Sequence, residues 1–180
     1  MHLKITGVLT ITDLPPGCDF AEPAELARLV ERGLAREVVR KRNLVVDLGL
    51  SAVSRLIGFG LSLPDVTNGV DVFPVADIND LRITGMSFGN ANNPTAPAAA
   101  NFQLFDPTPM LTVTPTVAYP GNAQVRWRGV IPAVGFTGEG VTEEGLFLAN
   151  GALFARTTFA PSVMLPAQAK QFDHDFFCTT

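Results

Sequence analysis

Residues 138–159 read Gly-Glu-Gly-Val-Thr-Glu-Glu-Gly-Leu-Phe-Leu-Ala-Asn-Gly-Ala-Leu-Phe-Ala-Arg-Thr-Thr-Phe, two short apolar-alternating runs on either side of Asn150-Gly151. The pair predicts a hairpin, because both residues tolerate the positive φ that a tight primed turn requires. The first arm sets Leu146 and Leu148 on one face and Phe147 on the other; the second sets Leu153 and Ala155 opposite Phe154 and Arg156. Both faces are largely apolar, the pattern of strands covered on two sides, by their own core or by a neighbouring copy. Glu143 and Glu144, just before the first arm, read as solvated carboxylates.

Other segments carry the same period. Residues 3–12 alternate and end at Leu14-Pro15-Pro16-Gly17, which predicts a strand pairing with the chain's own sheet or with a neighbour's edge. Residues 110–118 and 124–131 alternate around Tyr119-Pro120-Gly121-Asn122, a second hairpin. In its second arm Val125, Trp127 and Gly129 share one face, and Arg126, Arg128 and Val130 the other. Residues 171–178 form a last strand, Phe172, His174 and Phe176 alternating with Asp173, Asp175 and Phe177.

Helical spacing is confined to the N-terminal third. Pro23 suits a first helical turn, and Leu26, Leu29, Val30 and Leu34 follow at helical intervals, with Gly33 weakening the end. Residues 36–46 are β-branched and either extend that helix or form a strand. Residues 47–58 read as a short helix with Leu50, Val53, Leu56 and Ile57 inward, stopped at Gly58 and Gly60. Residues 61–79 read as an insertion-like loop with one short strand near 70–75, residues 80–90 as a strand and turn, and 90–105 as an irregular connection.

These readings predict a mainly β chain with minor α: an antiparallel β-sandwich built from hairpins, with one or two N-terminal helices packed against it. The expected division is an arm over 1–22, a helical segment over 23–60 and the sandwich over 61–180. A length of 180 residues suits one such domain and leaves little for a second core.

Composition narrows the function classes. The chain is 47% hydrophobic and only 17% charged, which favours a protein that buries further surface in an assembly. A net charge of −4 argues against a general nucleic-acid binder, and the basic cluster over 36–42 reads as a solvated face. No apolar run reaches membrane-spanning length, and the N-terminus lacks the pattern of a secretory signal. Cys18 and Cys178 fit no zinc spacing; they are either free thiols or bonded, to one another or across subunits.

Chemistry-bearing patterns are sparse. His2 and His174 stand at opposite ends of the chain, and His174 cannot share a strand face with Asp173 or Asp175, so no metal site is expected. Ser51 and Ser54 lie outside any nucleophile elbow, and the glycine-rich stretch over 135–145 lacks a P-loop ending. Glu139, Glu143 and Glu144 are the only acid/base candidates. No catalytic residue and no cofactor is expected, and the chain reads as not an enzyme.

Glu144, Gly145, Leu146 and Phe147, then Asn150 and Gly151, then Leu153, Phe154, Ala155 and Arg156, with Phe159 and Pro161 beyond, resemble the C-terminal half of tailed-bacteriophage structural proteins of the tail-collar fibre and baseplate-adaptor type. Arg42, Asn43, Leu44, Gly49, Leu50 and Leu56 resemble an N-terminal part of the same proteins, and residues 80–90 supply a strand and turn. Here Phe88-Gly89-Asn90 and a longer loop replace the family's usual glycine turn. The resemblance implies a virion protein of the tail, baseplate, collar or fibre-attachment apparatus, partnered by copies of itself in a trimer or ring and by other virion proteins. The competing expectations are a capsid decoration protein and a carbohydrate-binding module built on Trp127, Tyr119 and Glu143.

Overall fold

The computed structural model describes residues 4–19, 21–57, 65–92, 94–105, 109–121 and 123–179. In chain order the elements are β1 (Lys4–Asp13), α1 (Pro23–Glu31), β2 (Arg36–Val45), α2 (Asp47–Ile57), β3 (Val66–Thr67), β4 (Val72–Phe73), a 3-10 turn (Ile78–Leu81), β5 (Ile83–Gly89), β6 (Leu111–Val113), β7 (Thr116–Gly121), β8 (Gln124–Ile131), β9 (Gly140–Leu148), β10 (Leu153–Val163) and β11 (Lys170–Thr179). The chain is mainly β with minor α, antiparallel and sandwich-like in class, as the alternation predicts.

Two compact units divide it. The first takes Met1–Arg42, Pro115–Thr142 and Phe159–Thr180; the second takes Asn43–Thr114 and Glu143–Thr158. The expected boundaries at 22 and 60 coincide with neither, and the 23–60 segment contains a strand as well as both helices.

In the first unit β11 lies between β1 and β8, and β7 lies outside β8. The β1–β11 ladder runs unbroken from Lys4 opposite Thr179 to Asp13 opposite Lys170, so β1 pairs within its own chain. Leu9, Ile11, Phe172, His174 and Phe176 are buried along it. The last strand is therefore interior to its sheet. α1 begins on Pro23, whose missing N–H costs nothing in the first turn, and ends early because Gly33 adopts φ 67° while Leu34 donates back to the Leu29 carbonyl. Its Leu26 and Leu29 pack on Leu14, Ala21 and Ala169.

In the second unit the strand order is β6, β5, β9, β10, with Leu44 and Val45 of β2 against Arg156 and Ala155 of β10. Residues 36–46 thus resolve as strand. The 61–79 loop contains a two-strand hairpin of β3 and β4 over its described part, and an Asp77 capping box opens the 3-10 turn. On α2 the inward residues are Leu48, Gly49 and Ala52, whereas Leu50, expected inward, is 47% exposed; a Cβ on Gly49 would overlap the Phe154 carbonyl. The Gly58 and Gly60 stop lies outside the described residues.

Two hairpin details differ from expectation. The β9–β10 connection is a three-residue loop: Gly151 N–H donates to the Leu148 carbonyl at 3.0 Å, Leu148 N–H to Ala152 at 2.9 Å, and only Gly151 takes a positive φ, 87°. That is a type I turn closed by a left-handed glycine, not a primed turn. Asn150 stays at negative φ, its Oδ1 accepting from Ala152 N–H and its Nδ2 donating to the Pro74 carbonyl. The run 110–118 also splits. Leu111–Val113 pairs with β5, whereas Thr116–Gly121 pairs with β8, because Pro115 between them has no N–H for either ladder. Tyr119 to Gly121 belong to β7, and Asn122 lies outside the described residues.

Candidate functional site

The motif residues of 144–156 are interior to the second unit. Glu144, Gly145, Leu146, Leu153, Phe154 and Arg156 are buried, Phe147 is half-buried, and Asn150 and Gly151 form the loop tip. Glu143 and Glu144 are both fully buried, contrary to their reading as solvated carboxylates. Glu143 is there because Arg156 meets it: Nε and Nη2 donate to the same Glu143 Oε2 at 2.9 and 2.7 Å. Phe105 N–H donates to that oxygen at 2.9 Å, and Arg156 Nη1 reaches Asn101 Oδ1 at 3.1 Å. A buried carboxylate and guanidinium are tolerable only when paired and hydrogen-bonded in this way.

Glycines make the room. A Cβ on Gly89 would stand 2.6 Å from Glu143 Oε1, and one on Gly145 would stand 2.8 Å from the Leu104 side chain. This hydrogen-bonded ion pair ties the loop around Asn101 and Phe105 to β9 and β10.

The first unit holds a second charged array on one sheet face. In the β8–β11 register Arg128 stands opposite Asp173 and Arg126 opposite Asp175. Arg128 Nε donates to Asp173 Oδ1 at 2.5 Å and its Nη2 to Oδ2 at 3.3 Å; Arg126 donates to both Asp175 oxygens at 2.8 and 2.7 Å. Its hydrogen bond to Asp175 holds the Arg126 guanidinium above the ordinary arginine range, against the opposing effect of burial. Arg128 Nη1 also donates to the Ala21 carbonyl at 2.8 Å, and Gln171 Oε1 accepts from Ala21 N–H at 3.0 Å, so the array fixes the start of α1. At the far end of β11, Lys170 is buried on Asp13, its partner in the ladder.

The sequence treated Arg126 and Arg128 as one face of an amphipathic arm. The signal that would have joined them to β11 is Arg-x-Arg in one strand and Asp-x-Asp in the other, both at period two.

The other candidates fall as follows. His174 stacks on Phe176 at 4.9 Å between centroids, on the face opposite the two aspartates, and Trp127 meets Phe176 edge-on at 5.4 Å. Tyr119 is 78% exposed on β7. Ser51 Oγ accepts from Thr67 N–H. His2 and the Ser54 and Cys178 side chains lie outside the described part. Among the described residues no group of His, Cys, Asp or Glu has the arrangement of a metal site, and no helix is long and apolar enough to cross a membrane.

An intrachain Cys18–Cys178 bond is excluded by the ladder. Cys178 stands opposite Ile5, while Cys18 packs on Leu14 and Ala169 beyond Asp13. At ~3.3 Å per residue, the nine residues from Ile5 to Leu14 span about 30 Å, against the roughly 6 Å that a disulfide bridges between Cα atoms.

Beside its charged residues, the exterior carries several large apolar side chains. Val70, Val134 and Tyr119 are more than three-quarters exposed, and Val72, Val117, Val163, Leu165, Phe102 and Phe105 stand between 43% and 60%. In the first unit Asp13, Arg36, Val38, Val39, Pro161, Val163, Leu165 and Lys170 contribute to a cleft of about 290 Å³ beside the exposed part of β2. No protein-family model, no curated protein and no solved structure shows a significant match to the chain.

Proposed function

We propose that this chain is a structural protein that acts by assembly, as a component of the tail, baseplate, collar or fibre-attachment apparatus of a tailed-phage virion, without bond-making chemistry. The observation that supports assembly is the apolar surface left in water while part of the chain's small complement of charge is buried. Four cation–carboxylate pairs, Arg156–Glu143, Arg128–Asp173, Arg126–Asp175 and Lys170–Asp13, lie wholly or largely inside, whereas Val70, Val72, Val134, Tyr119, Phe102 and Phe105 are exposed. Apolar side chains left in water gain by burial against protein, at about 25 cal/mol per Å² before the cost of association. The virion setting rests on the resemblance over 144–161.

Two measurements test the two halves of this reading. Light scattering across a range of concentrations gives a mass that rises to a defined multimer; a monomer at every concentration overturns self-assembly. Peptide mass spectrometry of purified particles of the phage that encodes the chain finds it in the tail fraction. Its absence from every particle fraction overturns the virion setting.

A further inference from the structure

The basic residues of the chain are concentrated in one short span. Residues 28–42 hold six Lys and Arg against two Glu, a net of +4 on a chain whose total is −4, which leaves −8 for everything else. Within this span Arg36, Arg40 and Arg42 share one face of β2 by alternation, and all three are exposed. Arg40 and Arg42 stand about 6.6 Å apart along the strand. Beside them opens the cleft of about 290 Å³, whose apolar walls come from Val38, Val39, Pro161, Val163 and Leu165.

The opposite composition occurs over residues 65–80. This stretch holds Asp65, Asp71, Asp77 and Asp80 and no Lys or Arg. Its β3–β4 hairpin puts Val70 and Val72, 87% and 60% exposed, on either side of Asp71. An acid between two exposed valines is the complement of an arginine beside an apolar cleft.

We infer that the arginine face of β2 and its adjoining cleft dock the acidic β3–β4 hairpin of a second copy of this chain. The inference rests on the assembly reading above and names its contact. A copy of the chain suits the patch better than nucleic acid does, because its hairpin offers carboxylates and exposed valines together, which match arginines beside an apolar cleft, whereas a phosphate backbone offers charge alone. The two surfaces are different, so the contact is heterologous and generates a ring if the rotation closes, a filament if it does not.

Charge variants test it in solution. Arg36→Glu/Arg40→Glu/Arg42→Glu removes one surface. Asp65→Asn/Asp71→Asn/Asp77→Asn/Asp80→Asn removes the other while leaving an acceptor at each hairpin and cap hydrogen bond. Each variant alone should associate at least 10-fold more weakly than the parent, and both should keep the parental circular dichroism. An equimolar mixture should form a one-to-one dimer and nothing larger, since each variant retains the surface that the other lacks. Arg→Lys at the same three positions should retain association, and raising the salt from 50 mM to 500 mM should weaken it in the parent.

If the parent assembles but the glutamate variant assembles equally well, the contact is elsewhere and only this inference fails. A parent that stays monomeric defeats the assembly reading itself. Salt-dependent binding of a single-stranded oligonucleotide that is lost in the glutamate variant, with the mass unchanged, assigns the arginines to nucleic acid instead and overturns the proposal.

Discussion

Arg156 of β10 places two of its donors, Nε and Nη2, on a single oxygen of Glu143 in β9, with Arg156 1% and Glu143 0% exposed. Such a pair contributes less to stability than its short distances suggest, because both charges have left water. Breaking it is another matter. Glu143→Ala leaves a buried guanidinium without its carboxylate and Phe105 N–H without its acceptor, and should cost about 3–5 kcal/mol, read as a fall in the urea midpoint at unchanged slope. Glu143→Leu combined with Arg156→Met should recover most of that loss. A double variant no more stable than Glu143→Ala would show that the pair adds net stabilisation.

Gly49 makes a second sharp test, because α2 approaches β10 through it. The Phe154 carbonyl occupies the space of a Cβ, and a backbone oxygen cannot rotate away. Gly49→Ala should therefore destabilise by roughly 1–3 kcal/mol although alanine is the better helix former. Gly85→Ala is the control: its Cβ would meet only Phe147 Cβ at 3.5 Å and Thr112 Cγ2 at 3.9 Å, ordinary contacts. Thermal melts should separate the two variants clearly. Equal melting temperatures would mean that the helix shifts freely on the strand.

The same two strands show how far the sequence was legible. Alternation located β1, β8, β10 and β11, because a period of two is written in each strand alone. The hairpin partners β7–β8 and β9–β10 were legible too, but long-range partners were not, since register between strands forty residues apart depends on both. Thus nothing in 171–178 alone shows that Asp173 and Asp175 face Arg128 and Arg126, and Pro115 divides one alternating run between two ladders. Glu143 read as solvated because glutamate usually is; its partner, thirteen residues on in the same hairpin, is what overrides that tendency. The resemblance over 144–156 likewise marks residues that build the interior of the second unit, with Asn150 and Gly151 at its loop tip.

The cysteines follow from register alone. With Cys178 opposite Ile5 and Cys18 past the other end of β1, no conformation of this ladder joins them. Peptide mapping without reductant should recover no Cys18–Cys178 cross-link from the monomer, and Cys18→Ser should leave the melting temperature unchanged by reductant. A cross-link recovered from the monomer would mean that the β1–β11 pairing is wrong.

Arg128–Asp173 and Arg126–Asp175 offer a comparison within one sheet, because the chemistry is the same and the surroundings differ. The first pair is 5% and 4% exposed and also fixes the Ala21 carbonyl; the second is 19% and 8% exposed. Removing the carboxylate charge should therefore cost more at the first. Asp173→Asn should lose about 3 kcal/mol or more, as a broken buried pair does, and Asp175→Asn about half of that. Arg126 introduces no pH dependence in the working range. The raised Arg126 pKa means that its stabilisation is complete below the ordinary arginine value and is lost only as pH climbs beyond the raised one. Salt separates the pairs further: 0.5 M NaCl should narrow the deficit of Asp175→Asn and leave that of Asp173→Asn nearly unchanged, because mobile ions reach only the more exposed pair. Urea unfolding of the two variants at low and high salt measures both differences. Equal losses with equal salt response would show that burial does not set the strength of either pair.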